Sequence, residues 1–119
     1  MMFVFVYGSL KRGKKLSHYM KRAIFIGNGK TLHKYPLVIS KKGWYPYLID
    51  KKGVGNFVDG EVYKIDFRLL RVLDRVEEAP NYYRRKEIFI KVNNRKIKCW
   101  VYFVNKKVNF LKKDLLINF

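Results

Sequence analysis

The sequence predicts an α+β fold built around a small, closed or nearly closed antiparallel β-barrel. Strand-like segments outnumber helix-like ones along the chain, and tight turns separate them. Several strands are apolar on both faces, which is typical of a buried strand or of a closed barrel. The 119 residues suit one domain, 1–119, and a composition that is 49% hydrophobic is sufficient for a core.

The first half of the chain is predicted to contain three strands and one short helix. The strands lie at residues 3–7, 23–26 and 30–39, and the helix lies at 17–23. Gly8 ends the first strand, and Gly27-Asn28-Gly29 is expected to form a turn between the other two. The aromatic stretch Gly43-Trp44-Tyr45-Pro46-Tyr47 is predicted to be a loop.

The second half is predicted to contain three further strands and two helices. The strands lie at 56–65, 82–92 and 96–104, and the helices lie at 66–77 and 109–119. Asp66 is expected to cap the first of these helices, because its carboxylate can accept amide hydrogens of the first turn. Ala79-Pro80-Asn81 ends that helix. Asn93-Asn94 predicts a hairpin turn between the last two strands.

Glu77 lies on the apolar face of helix 66–77. At roughly 100° per residue, its direction falls between those of Leu73 and Leu70. Glu78 points to the opposite face, which also carries Arg71, Asp74 and Arg75. A carboxylate on an apolar face is costly unless it is paired, protonated or functional. Burial would raise its pKa and make it a better base near neutral pH. The residues alone leave open a general base or a structural acid paired with an arginine such as Arg84.

A second candidate site is Tyr7-Gly8-Ser9-Leu10, at the end of the first strand. Glycine allows a ligand to approach the backbone closely, and successive amide hydrogens in such a turn can form a concave anion site. An ordinary strand-ending turn is the alternative. The stretch from Gly8 to Lys14 also has the spacing of a nucleotide-binding loop. Lys15 then replaces the serine or threonine that would hold magnesium, so a P-loop is not expected.

The charge and the cysteine count restrict the possible partners and compartments. The 27 Lys and Arg against nine Asp and Glu give a net charge of +18, which attracts polyanions. These basic residues are spread through every segment, which indicates only non-specific contact with nucleic acid. The single cysteine, Cys99, is expected in the core, excludes an internal disulfide and fits a reducing compartment. No membrane span, signal peptide or metal-ligand spacing is recognised, so a cytoplasmic protein is expected.

The motifs occur together in the order and spacing of a known family. From about residue 3 to residue 104, the chain resembles the γ-glutamylcyclotransferase-like (AIG2-like) proteins, and it is most similar to their γ-glutamylamine cyclotransferase branch. The matching motifs are, in chain order, Val4-Phe5-Val6-Tyr7-Gly8-Ser9-Leu10-Lys11-Arg12-Gly13, Tyr35-Pro36-Leu37-Val38-Ile39, Gly60-Glu61-Val62-Tyr63-Lys64-Ile65-Asp66, Leu73-Asp74-Arg75-Val76-Glu77, Pro80, Tyr83 and Arg84 or Arg85.

The resemblance implies a small mixed, mostly antiparallel β-barrel with flanking short helices. It also implies an enzyme that acts on a small γ-glutamyl substrate without a metal or cofactor. The substrate's α-amine attacks its own γ-carbonyl, giving 5-oxoproline and a free amine. In this family the Tyr-Gly-Ser-Leu loop holds the γ-glutamyl group, and the acid that ends Leu-Asp-x-x-Glu is the general base. The corresponding catalytic residue is Glu77, and the substrate-binding residues are Tyr7, Gly8, Ser9, Leu10 and Tyr83.

Two alternatives to this function stay open. One is a binding module on the same scaffold, with basic faces contacting nucleic acid or another acidic partner. The other is a different transfer or ring-closing reaction in the same pocket. The sequence does not identify the departing amine or peptide, the oligomeric state or a specific partner for the +18 charge. It also leaves open whether Glu78 or the segment after Val104 modifies the site.

Overall fold

A computed structural model describes residues 2–119 as seven strands, one α-helix and two short 3₁₀ turns. The strands are β1 (Met2–Val6), β2 (Ile24–Thr31), β3 (Leu37–Ile39), β4 (Pro46–Leu48), β5 (Asp59–Ile65), β6 (Tyr83–Val92) and β7 (Arg95–Val104). The α-helix, α1, is Phe67–Val76, and the 3₁₀ turns are Ser17–Met20 and Lys112–Asp114. No helix within this described part of the chain has the length and apolar character needed to cross a membrane.

Five strands close into a barrel in the order β1-β5-β2-β6-β7. The pairs along this order are antiparallel, and the parallel contact of β1 with β7, at Val4 and Trp100, completes the circle. Strands β3 and β4 form a separate two-stranded antiparallel sheet. The predicted α+β fold with a small mixed, mostly antiparallel barrel is therefore confirmed.

Strand β1 is buried on both of its faces, as its sequence predicts. Val4 and Val6 belong to a core cluster that also contains Leu70 and Leu73 of α1. Phe5, between them, points into a second cluster, because successive side chains of a strand alternate between its faces. Cys99 is fully buried in that second cluster, which confirms its predicted place in the core.

Helix α1 begins where the sequence predicts, because Asp66 caps it. The Leu69 amide donates to the Asp66 carboxylate at 2.8 Å, which satisfies one of the free amide groups of the first turn. The helix buries Leu70 and Leu73 against the barrel. It ends at Val76, one residue earlier than expected, so that Glu77 is the first residue after the helix.

The turn expected at Gly27-Asn28-Gly29 is wrong. Strand β2 passes through these residues without ending, although its register with β5 shifts within it. A Cβ atom on Gly29 would lie 2.7 Å from the Ile90 side chain, so this glycine allows close packing of strands. The single strand expected at 30–39 is also wrong, since β2 ends at Thr31 and β3 is a separate strand.

The helix expected at 109–119 is wrong. The structure has only the turn Lys112–Asp114 there. The Leu116 amide donates to the Leu37 carbonyl at 2.8 Å, and the Ile117 carbonyl accepts the Asp59 amide at 2.9 Å. Because these backbone groups are satisfied by β3 of the small sheet and β5 of the barrel, the tail runs alongside these strands instead of forming a helix.

Other boundaries also differ from the expectation, and the first, sixth and seventh strands are shifted at their ends by one residue. The helix expected at 17–23 is only the 3₁₀ turn Ser17–Met20. Pro46 and Tyr47, expected in a loop, belong to β4. The strand expected at 56–65 begins at Asp59. The hairpin of the last two strands is confirmed, with the turn between Val92 and Arg95.

Replacing Phe103 should test the barrel core. Its ring is fully buried and lies 5.4 Å from the ring of Tyr35, measured between centroids. Phe103→Ala should lower the free energy of unfolding by about 3–5 kcal/mol, because it removes buried apolar surface and leaves a cavity. Phe67 is 60% exposed, so Phe67→Ala should change stability by less than about 0.5 kcal/mol. Equal losses for both variants in urea denaturation would contradict this core.

Candidate active site

A cavity of about 160 Å³ lies where several parts of the chain meet. Its walls come from the end of β1 and the loop after it, the aromatic segment that leads into β4, the end of α1, the start of β6 and Tyr102 of β7. Every site residue predicted from the sequence lines this cavity: Tyr7, Gly8, Ser9, Leu10, Glu77 and Tyr83. The fold therefore brings together residues that are up to about 75 positions apart in the sequence.

The loop after β1 is held against β4 by a close contact at Gly8. A Cβ atom at this position would lie 2.8 Å from the ring of Pro46, so a side chain would force the two segments apart. The Leu16 amide closes the loop by donating to the Ser9 carbonyl at 2.8 Å. Within residues 2–119, the amides of Ser9 and Leu10 donate to no backbone carbonyl. They are therefore available to an anionic ligand.

Tyr7 and Tyr83 shape the wall of the cavity, and their hydroxyl hydrogens are used within the protein. The Tyr7 hydroxyl donates to the Tyr102 carbonyl, and the Tyr83 hydroxyl donates to the Pro46 carbonyl at 2.9 Å. Burial raises the pKa of both phenols above the ordinary tyrosine value, so both are neutral. Direct contact of these two residues with a substrate stays a prediction.

Glu77 contributes an unpaired carboxylate to the lining of the cavity. Glu78 also lines the cavity, but its side chain is exposed. The Glu77 amide donates to the Leu73 carbonyl at 2.8 Å, which fixes its backbone to the last turn of α1. The Glu77 side chain is half-buried, and burial raises the pKa of the carboxyl to about 7. No described residue pairs with this carboxylate. The expected alternative partner, Arg84, instead forms an ion pair with Asp50.

Asp74 lies one helical turn before Glu77. Unlike that of Glu77, its carboxylate accepts several hydrogen bonds. Arg85 donates to its two carboxylate oxygens at 2.8 and 3.1 Å, and the Tyr102 hydroxyl donates at 2.7 Å. Burial alone would raise the pKa of Asp74, but these hydrogen bonds hold it below its usual 3.8. The helical periodicity placed Asp74 on the outer, charged face. The structure instead shows it anchoring α1 to β6 and β7.

Sequence reasoning missed a cluster of tyrosine hydroxyls beside the cavity. Tyr45 and Tyr82 line the cavity, and their hydroxyls are hydrogen-bonded to each other. The Tyr82 hydroxyl also bonds that of Tyr47 at 2.8 Å. The aromatic segment before β4 was visible in the sequence. Its pairing with a residue about 37 positions away has no local signal.

Cys99, another group considered from the sequence, is not among the residues that line this cavity. Cys99 is fully buried in β7, and burial raises the pKa of its thiol to about 12, so the thiol is not ionised near neutral pH. Among residues 2–119, no three or more His, Cys, Asp or Glu side chains are grouped so that they could hold a metal ion.

Comparison with known proteins identifies close relatives of this chain. A sequence profile of the family described as "Gamma-glutamyl cyclotransferase, AIG2-like" matches residues 4–116. The human gamma-glutamylaminecyclotransferase is 45% identical over 91 residues, which are 71% of this chain and 59% of the human protein. A Drosophila melanogaster protein with a provisional gamma-glutamylcyclotransferase name is 40% identical over 123 residues, covering 98% of this chain and 78% of that protein. The crystal structure of a mouse AIG2-like protein matches with a TM-score of 0.85 at 34% identity, covering 91% of this chain and 80% of the mouse chain.

Glu77→Gln should stabilise the protein at alkaline pH. Burial raises the pKa of this carboxyl from the ordinary value of 4.5, which applies in the unfolded chain, to about 7 in the folded chain. Folding is therefore penalised increasingly as the pH rises from 4.5 to 7, and the penalty is constant above that range. Glutamine keeps the shape and removes the charge. The variant should gain on the order of 1–3 kcal/mol at about pH 8 and almost nothing at about pH 4.

Chemical denaturation at the two pH values measures this difference. Glu78→Gln is the matched control, because the side chain of Glu78 is exposed and a similar gain is not expected there. A Glu77→Gln variant that is less stable than the unmodified protein at alkaline pH would show that the carboxylate has a stabilising partner.

Proposed function

The chain belongs to the gamma-glutamyl cyclotransferase, AIG2-like, family, and we propose that it converts a γ-glutamyl amide into 5-oxoproline and a free amine. One observation carries this proposal: the unpaired carboxylate of Glu77, with a pKa of about 7, shares a small cavity with a loop that has unused backbone amides. Relatives named gamma-glutamylaminecyclotransferases favour γ-glutamyl-amines as substrates, and γ-glutamyl-peptides are the neighbouring class.

Glu77 is the general base in this proposal. The substrate enters with its α-nitrogen protonated, and an ammonium has no lone pair with which to attack. Glu77 accepts one proton and so frees the nitrogen to attack the γ-carbonyl of the same molecule. A base is most effective when its pKa lies near the working pH, and a carboxyl with a pKa of about 7 meets this condition.

The loop after β1 binds the charges of the substrate. Attack on the γ-carbonyl produces an oxyanion, which requires hydrogen-bond donors that are already in place. The Ser9 and Leu10 amides have no backbone acceptor within the described chain. We assign them to the oxyanion or to the α-carboxylate of the substrate, with Gly8 allowing the close approach of the backbone.

The size of the cavity suits an intramolecular reaction. Cavities for drug-sized ligands measure roughly 300–1,000 Å³, whereas this one measures about 160 Å³. It is therefore suited to the γ-glutamyl group and not to a large second substrate. Nucleophile and carbonyl belong to one molecule, so enclosing the substrate in a folded conformation supplies much of the catalysis. Tyr7, Leu10 and Tyr83 supply the walls that restrict it.

The net charge indicates which substrates are attracted, and the cysteine content indicates the compartment of the reaction. A net charge of +18 attracts substrates that carry a carboxylate. The single cysteine, Cys99, is unpaired and buried. A free thiol suits a reducing compartment, so we place the reaction in the cytoplasm.

Glu77→Gln should nearly abolish the release of 5-oxoproline from a γ-glutamyl-amine. Loss of a general base lowers kcat by about 10²–10⁴-fold. In the unmodified protein, kcat/KM should rise with pH through about 7 as Glu77 loses its proton. Chromatographic detection of 5-oxoproline, repeated across this pH range, measures both effects.

Glu78→Gln serves as the control, because this neighbouring acid also lines the cavity but is exposed, so it should not affect kcat strongly. Circular dichroism establishes that both variants are folded. Normal turnover by folded Glu77→Gln would remove Glu77 as the base. Failure of the unmodified protein to release 5-oxoproline from any γ-glutamyl-amine or γ-glutamyl-peptide would overturn the proposed function.

A further inference from the structure

The proposed reaction, on which this inference rests, requires more proton transfers than one base can perform at once. The attacking nitrogen begins as an ammonium with three hydrogens and ends as a lactam nitrogen with one. The departing nitrogen begins as an amide with one hydrogen and ends as an ammonium with three. An alkylamine is a poor leaving group unless it is protonated as the C–N bond breaks. Glu77 has just accepted a proton from the attacking nitrogen. A separate proton donor for the departing nitrogen would therefore be an advantage.

Three tyrosine hydroxyls form a connected chain beside the cavity. The Tyr82 hydroxyl occupies the centre, bonded to the hydroxyls of Tyr45 and Tyr47. The three rings pack against one another, with centroids 5.8–6.3 Å apart. Tyr45 and Tyr82 line the same cavity as Glu77. We call Tyr45, Tyr47 and Tyr82 the tyrosine relay.

The ammonium of Lys106 lies at one end of the tyrosine relay. Its Nζ is 4.9 Å from the ring centroid of Tyr47 and 5.2 Å from that of Tyr82. Lys106 itself is exposed to solvent. The Lys106 ammonium lowers the pKa of Tyr47, so it stabilises negative charge on the Tyr47 hydroxyl. The relay therefore has one end at the cavity and the other beside a cation that is open to water.

The direction in which the pKa of Tyr47 is shifted agrees with this geometry. Burial alone would raise the pKa of Tyr47, but its hydroxyl partners and the Lys106 ammonium outweigh burial and hold this pKa below the ordinary value of 10.0. By contrast, burial and the neighbouring hydroxyls raise the pKa of Tyr82. Negative charge in the relay therefore collects at Tyr47, which lies next to the cation.

We propose that the tyrosine relay is the proton donor that protonates the departing amine as its bond to the γ-carbon breaks. Two hydroxyl–hydroxyl bonds use two of the three hydroxyl hydrogens. When Tyr47 donates to Tyr82 and Tyr82 donates to Tyr45, the hydrogen of Tyr45 has no acceptor within the relay. That hydrogen is the one transferred to the departing nitrogen.

The transfer balances in protons and electrons. Glu77 takes the first proton from the α-ammonium, and the freed nitrogen attacks the γ-carbonyl to give a tetrahedral oxyanion. Tyr45 donates to the departing nitrogen, Tyr82 reprotonates Tyr45, and Tyr47 reprotonates Tyr82 and becomes a phenolate beside Lys106. The C–N electron pair moves to the departing nitrogen as the carbonyl re-forms. The ring nitrogen loses its second proton to the freed amine, and water returns the proton of Glu77 to Tyr47.

Two substrates of matched shape separate proton donation from structural support. The departing amine of γ-glutamyl-4-methoxyanilide is more basic than that of γ-glutamyl-4-nitroanilide, although the rings are similar in size. The nitroanilide therefore depends less on protonation of its leaving group. Tyr82→Phe removes the central hydroxyl and keeps the ring packing. It should lower kcat for the methoxyanilide by about 10²-fold or more, and for the nitroanilide by at least about tenfold less. KM should change little for either substrate.

Three further variants control this comparison. Tyr45→Phe removes the hydroxyl that donates to the departing nitrogen. It should also lower kcat more for the methoxyanilide than for the nitroanilide, and it provides the test if the Tyr82→Phe protein fails to fold. Tyr35→Phe removes a tyrosine hydroxyl that lies outside the cavity, in a residue that is only 3% exposed, and should show no dependence on the substrate. Glu77→Gln should lose activity on both substrates. That result separates failure of the tyrosine relay from failure of the proposed function.

Equal losses on the two anilides in Tyr82→Phe and Tyr45→Phe would show that the tyrosines only support the wall, and would overturn the proposal. Undiminished kcat in both variants would overturn it as well. If the unmodified protein turns over neither anilide nor any other γ-glutamyl amide, the proposed function fails, and this inference fails with it.

Discussion

The ion pair between Asp74 and Arg85 fixes the end of α1 to the barrel, and the position of Glu77 depends on it. Two hydrogen bonds from Arg85 and one from the Tyr102 hydroxyl hold Asp74 in place. The helix has only ten residues, which is too short to be stable by itself. Its last turn is therefore held by tertiary contacts, and Glu77 extends directly from that turn. Asp74 and Arg85 do not line the cavity, so this ion pair acts through the position of Glu77.

Asp74 and Glu77 lie one helical turn apart at the end of α1, and their surroundings shift the pKa values of their carboxyls in opposite directions. Asp74 is satisfied by a guanidinium and a phenol, so its pKa is low and it is ionised. Within the described chain, Glu77 has no hydrogen-bond or ion-pair partner for its carboxylate, and burial therefore raises the pKa of this carboxyl to about 7. Environments that separate the pKa values of neighbouring acids are typical of acid–base catalysis. The tyrosine relay extends the same arrangement, because a proton acceptor and a group of proton donors line one small cavity.

The sequence predicts those features whose cause is local. Helical periodicity placed Glu77 on the apolar face, and the double-sided apolar pattern of β1 predicted burial on both faces. The features that could not be predicted depend on hydrogen-bond or ion-pair partners that are distant in the sequence. The tail at 109–119 has an amphipathic pattern, but its backbone bonds to β3 and β5 prevent a helix. Asp74 has an exposed position in the helical pattern, and only the fold brings Arg85 to it. The tyrosine relay likewise joins the segment before β4 to the start of β6.

Direct titration of Glu77 tests the central claim that this carboxylate is buried without a compensating partner. Carbon-13 NMR of protein labelled at the glutamate side-chain carboxyls follows each glutamate as the pH changes, and the signal missing from Glu77→Gln identifies Glu77. A carboxyl that is buried without a partner should give a midpoint near 7 for this signal, well above the ordinary value of 4.5. A midpoint at or below 4.5 would mean that the carboxylate is well solvated or paired, and would contradict the account.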